Sequence, residues 1–150
     1  MNTRISLRGR KQQSGVMLLE ALIGILIFSL GILAMVGMQS VAVQLSTDAR
    51  DRAEANNLAS QLVGEMWVSN RADLVTNFAY GGSGTAPGGL INWISLVEER
   101  LPDAATYPPV VSIAPSALGA SVGTETMITL RWKNPADDTV HQFVLTAYIN

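Results

Sequence analysis

Val16 to Met38 reads VMLLEALIGILIFSLGILAMVGM, 23 residues with one charged side chain, Glu20, and one hydroxyl, Ser29. A helix needs about 20 predominantly apolar residues to cross the ~30 Å hydrocarbon core of a bilayer. The run is long enough, so a transmembrane helix is expected. Ahead of it, residues 1–15 hold Arg4, Arg8, Arg10 and Lys11 and no acid. Behind that head, residues 16–150 hold six basic and twelve acidic side chains, so the net charge of −2 hides a basic head on an acidic body. The positive-inside rule keeps the basic flank in the cytoplasm and places the remainder across the membrane, in the periplasm or outside. An ordinary cleaved secretory signal fits poorly. Its apolar region is shorter, about 7–15 residues, and ends at small residues. Here Val41 and Val43 occupy the positions after the run where small residues would be wanted.

The whole chain has 150 residues, the size of one domain. Hydrophobic residues make up 48% and charged residues 15%, which excludes an intrinsically disordered chain. The missing basic surplus argues against a nucleic-acid partner. With no Cys, a disulfide scaffold and a thiolate metal site are excluded. With a single His, His141, a His-based metal or catalytic constellation is not expected. No cofactor, metal or small-molecule substrate is expected, nor an enzyme.

Glu20 is the informative residue of the span. An acid at the centre of a membrane helix costs ~2.5–3.5 kcal/mol on insertion scales, and less near an end. Glu20 is the fifth residue counting Val16 as the first. Either it sits near the interface and reaches back to the head groups, or it needs a cationic partner within the membrane. A free amine on Val16 would be such a partner if the chain were cut after Gly15.

Ser14-Gly15-Val16-Met17-Leu18-Leu19-Glu20, preceded by the basic leader, resembles the class III signal of type IV pilins. The resemblance implies that prepilin peptidase cuts after Gly15 on the cytoplasmic side and methylates the new N-terminus at Val16. The apolar helix would stay on the mature chain. Val16 departs from the Phe or Met often found at that position. The resemblance further implies that Glu20 neutralises the Val16 amine of a neighbouring subunit. An ion pair among packed apolar helices is poorly screened, so an unpaired partner is costly, and the pair can set register between subunits. Gly24, Gly31 and Gly37 also fall in the span. They fit close helix approach or a place where the helix bends.

From Gln39 to Arg71 there is no Pro and the only Gly is Gly64. Apolar residues recur at helical spacing: Val41, Leu45, Ala49 and Ala53, then Leu58, Leu62 and Met66, with Ala55, Ala59 and Val63 alongside. Asp48/Arg52 and Arg50/Glu54 are opposite charges at i, i+4, expected to support a solvated helix face. One helix is therefore expected from about Val16 to about Val68, some 80 Å long. Its second half should bury an apolar stripe against a small body. Ala55–Arg71 (ANNLASQLVGEMWVSNR) and Ile27–Ala34 (IFSLGILA) are similar to PilV-type minor pilins, the type IV pilus modification proteins. That likeness covers about the first half of the chain.

Ala79 to Leu90 (AYGGSGTAPGGL) has the composition of a surface loop. It lacks the Lys of a phosphate-cradling loop, so nucleotide binding there is rejected. Ile91–Leu101 reads as a short helix ended by Pro102, and Val110–Ile113 as a strand. Thr126–Lys133 and Thr139–Ile149 read as an antiparallel hairpin around the Asn134–Asp138 turn. Ile128, Leu130 and Trp132 share one face of the first strand, and His141, Phe143, Leu145, Ala147 and Ile149 one face of the second. His141 is expected to be a structural or edge residue. Glu98-Glu99 and Asp137-Asp138 are adjacent carboxylates, too close in sequence to form a spaced calcium loop.

The expected fold is α+β: a long N-terminal α-helix, membrane-spanning then amphipathic, packed on a small antiparallel sheet of three or four strands. The expected segments are a cleaved leader at 1–15, a membrane or filament-core half-helix at 16–38, an amphipathic half-helix at 39–71 and a β-rich body at 72–150. The resemblance implies a minor pilin that joins other minor pilins to prime assembly of the type IV pilus. Its implied partners are minor and major pilins, prepilin peptidase and inner-membrane lipid. The alternatives are a minor pseudopilin of a type II secretion system and, in another class, a signal-anchored periplasmic ligand-binding protein.

Overall fold

The computed structural model describes residues 14–115, 123–135 and 138–149. The leader charges Arg4, Arg8, Arg10 and Lys11, and Asp137 of the turn, lie outside the described residues. The fold is α+β, with a long apolar N-terminal helix and a three-stranded antiparallel sheet. Helix α1 spans Ser14–Val68, 55 residues without a break. The chain divides into two compact units, residues 1–43 and residues 44–150.

In the first unit every described side chain from Gly15 to Val43 is exposed. By length and composition the helix can cross a membrane: its most apolar 18-residue window has a mean hydropathy of 2.6, and none of that window is buried. The span's one hydroxyl needs no outside partner, because Ser29 Oγ donates to the Ile25 carbonyl at 2.7 Å. A buried hydroxyl left unbonded in an apolar medium is costly.

The second unit holds the C-terminal half of α1, a 3-10 turn at Arg71–Asp73, α2 (Leu74–Phe78), α3 (Ile91–Arg100) and strands β1 (Val110–Pro115), β2 (Thr124–Lys133) and β3 (Val140–Ile149). Asn70 starts the turn after α1, its side-chain oxygen accepting from the Ala72 N–H at 3.1 Å. The sheet order is β1-β2-β3, antiparallel throughout, with Ile128 opposite Leu145, Leu130 opposite Phe143 and Trp132 opposite His141. Alternation puts Ile128, Leu130 and Trp132 on one face, and all three are fully buried. They close a single core with Leu58, Leu62 and Met66 of α1 and Trp93 and Val97 of α3.

The buried stripe of α1 differs from the expected one at its N-terminal end. Ala55, Leu58, Ala59, Leu62 and Met66 are buried as expected, but Val41, Leu45, Ala49 and Ala53 are exposed. The reason is geometric. A strict i+4 repeat overshoots a 3.6-residue turn by about 40° per step. From Val41 to Ala53 it therefore swings about 120° around the helix. The face that continues the core toward the N-terminus passes instead through Asp51 and Asp48.

The short helix α2 was not expected. Its signal was Leu74 and Phe78 at i, i+4, both buried in the core. The 79–90 stretch is a loop tied down at both ends. Tyr80 bridges to Val111 through two backbone hydrogen bonds of 2.9 and 2.8 Å, and Leu90 is fully buried.

Candidate functional site

The processing and assembly residues all lie in the first turns of α1. Gly15 is its second residue, and Val16 and Glu20 follow four apart, on one face of the helix. Val16 is 63% exposed and Glu20 is exposed. Among the described residues Glu20 has no hydrogen-bond or ion-pair partner. It is a lone carboxylate within a run of uncovered aliphatic side chains. A Cβ added at Gly24, Gly31 or Gly37 would meet nothing within 4 Å. Among the described residues these glycines relieve no crowding.

A second polar group appears on the packed half of α1, and the sequence reading missed it. Asp48 and Asp51, three apart, present carboxylates on one helix face. Asn134, just past β2, donates its amide to both, 3.0 Å to Asp48 Oδ1 and 3.0 Å to Asp51 Oδ2. His141 Nε2 lies 3.8 Å from Asp48 Oδ1, and its ring stacks on Trp132 with centroids 5.8 Å apart. Two like charges at i, i+3 repel. The shared amide offsets that repulsion and fixes the first turn of α1 that meets the sheet. His141 sits on the edge strand β3, packed into this junction. The only sequence signal was the Asn at the turn and the two acids where the core stripe should have continued.

The expected ion pairs along α1 do not form. Among the described residues neither Asp48/Arg52 nor Arg50/Glu54 approaches to ion-pair distance. Glu54 pairs instead with Arg100 at the end of α3, at 3.1 Å. Folding brings these partners together from distant positions, and an i, i+4 pair worth only ~0.2–0.5 kcal/mol does not compete. The pair is partly exposed and adds little stability. Glu98 and Glu99 are exposed, and Asp138 faces solvent 3.6 Å from Lys133. Among the described residues no three His, Asp or Glu side chains gather as a metal-ligand group.

Comparison with protein families, with curated proteins and with solved structures finds no match to this chain.

Proposed function

We propose that this chain is a minor pilin of the type IV pilus, made as a membrane prepilin and trimmed after Gly15. The observation that carries the reading is Glu20, without a partner among the described residues, four residues beyond Val16 in an exposed apolar helix whose continuation packs on an antiparallel sheet. A carboxylate in that setting needs a cation, and the amine created by cleavage before Val16 is one that a neighbouring subunit can supply. The trimmed chain resides in the inner membrane as a single-pass protein with its body in the periplasm, then enters the pilus at the cell surface. Its role is non-catalytic. It joins other minor pilins to prime filament assembly, with the major pilin following, and its loss reduces surface fimbriae and twitching motility. The similarity of Ala55–Arg71 to pilus modification proteins favours the pilus over a type II secretion pseudopilus, whose N-terminal signature is the same.

Shearing filaments from cells and probing for this chain tests the reading. Co-purification with the major pilin is expected. Co-purification with secretion components instead would transfer the chain to the pseudopilus.

A further inference from the structure

We propose that a cleft between α1 and the end of α3 is a docking site for an arginine side chain of another protein. The cleft belongs to the folded body and does not depend on processing of the N-terminus, so the two readings fail separately.

The cleft has a volume of about 430 Å³. Asp51 and Glu54 line it from α1, Glu98, Glu99 and Asp103 from the end of α3, and Asn134 from just past β2. Only two guanidinium groups, Arg50 and Arg100, share the cleft with these five carboxylates. Arg100 is already engaged, pairing with Glu54 at 3.1 Å. Arg50 is exposed and makes no ion pair among the described residues. It precedes Asp51 directly, and consecutive side chains leave a helix about 100° apart.

Asp51 distinguishes this cleft from a patch of solvated acid. Glu98, Glu99 and Asp103 are exposed, but Asp51 is only 7% exposed. A carboxylate withdrawn from water is costly unless a cation and hydrogen bonds replace that water. Among the described residues no cation lies within ion-pair distance of Asp51. Its one hydrogen bond there, 3.0 Å from Asn134 to Oδ2, comes from an amide that also serves Asp48. Asp51 Oδ1 and the Asn134 side-chain oxygen accept no hydrogen bond among the described residues. A buried charge compensated on one oxygen alone lines the cleft.

The chemistry of the occupant follows from these groups. They are acceptors, and the carbonyl end of α3 adds partial negative charge of the same sign. A guanidinium group has five N–H donors in a planar fork and no acceptor. It is also more weakly hydrated than an ammonium group and stays charged when buried. One arginine can therefore bond Asp51 and Asn134 together. A metal ion fits less well, because among the described residues no three His, Asp or Glu side chains gather as a ligand group. The exposed carboxylates at the rim suit a basic segment on a protein surface. They speed its approach, while Asp51 holds the inserted side chain.

The probe is a capped peptide, Gly-Ser-Arg-Ser-Gly-Arg-Ser-Gly, titrated into the isotope-labelled full chain in nonionic detergent micelles and followed by amide chemical shifts. Saturable shifts at Asp51, Asp103 and Asn134 are expected. Asp51→Asn should weaken binding tenfold or more while circular dichroism stays unchanged. Glu98→Gln with Glu99→Gln, at exposed positions that do not threaten folding, should weaken it about threefold and flatten its salt dependence. Arg50→Ala should leave binding equal or tighter. The same peptide with citrulline in place of arginine keeps the shape, loses the charge and should not bind. No saturable shift at these residues overturns the site, as does equal binding of the citrulline peptide. Equal binding by the Glu98/Glu99 variant, or by a folded Asp51→Asn chain, also overturns it. Loss of binding in Arg50→Ala overturns it as well, because the cleft would then be holding an anion. Tighter binding of spermidine or of calcium than of the peptide overturns the arginine-bearing partner. An unprocessed N-terminus would remove the pilin reading and leave the peptide result standing.

Discussion

The indole Nε1 of Trp93 donates a hydrogen bond to the backbone carbonyl of Leu58 at 2.9 Å, across 35 residues of sequence. Both residues are buried, so this bond joins α3 to α1 inside the core. Trp93→Phe keeps an aromatic ring and deletes the donor. It is expected to cost about 1–2 kcal/mol, the usual range for a lost buried hydrogen bond with some lost packing. The midpoint of urea unfolding, followed by circular dichroism, measures it. An unchanged midpoint would mean the bond contributes nothing.

Asn134 holds Asp48 and Asp51 together through one amide. Asn134→Ala removes the donor from two carboxylates at once, of which Asp51 is 7% exposed. A loss of about 1–3 kcal/mol is expected. Asn134→Asp should be worse still, since it adds a third negative charge to the same place. Thermal unfolding of the three proteins side by side gives the ranking, and an Asp variant as stable as the wild type would refute the account of this junction.

Gly89 separates two kinds of glycine in the 79–90 loop. A Cβ at Gly89 would lie 2.8 Å from the Asn77 carbonyl oxygen and 3.2 Å from the Phe78 ring, whereas one at Gly81 would meet nothing within 4 Å. The backbone at Asn77 must move to admit it. Gly89→Ala is therefore expected to cost about 1–3 kcal/mol, and Gly81→Ala to stay within about 0.5 kcal/mol. Equal stabilities in a urea titration would show that the 89 position yields freely.

The fold was legible where one physical cause dominates. The apolar run, the absence of breakers up to Val68 and the alternation in β2 and β3 gave α1 and the hairpin almost to the residue. What escaped were features made by folding. The turn of the buried stripe onto Asp48 and Asp51 depends on which helix face the sheet meets. The pairing of Glu54 with Arg100 depends on where α3 ends. Helix α2 is five residues long, and only Leu74 and Phe78 marked it. For Gly15, Val16 and Glu20 the sequence carries the reading, and the structure adds that Glu20 has no partner among the described residues. That β3 lies at the sheet edge was foreshadowed only at His141, because strand order had to be known first.

Residues 44–150 contain the whole core. Without the apolar half of α1, this fragment is expected to fold on its own and to unfold in one cooperative urea transition. A gradual, non-cooperative loss of signal would show that the body depends on the helix before residue 44.

Processing and assembly as a pilin can be read from the N-terminal mass of the protein from cells with and without prepilin peptidase. The expected chain begins at N-methylated Val16 when the peptidase is present and retains its leader when it is absent. An intact leader in both would contradict it and leave a signal-anchored membrane protein.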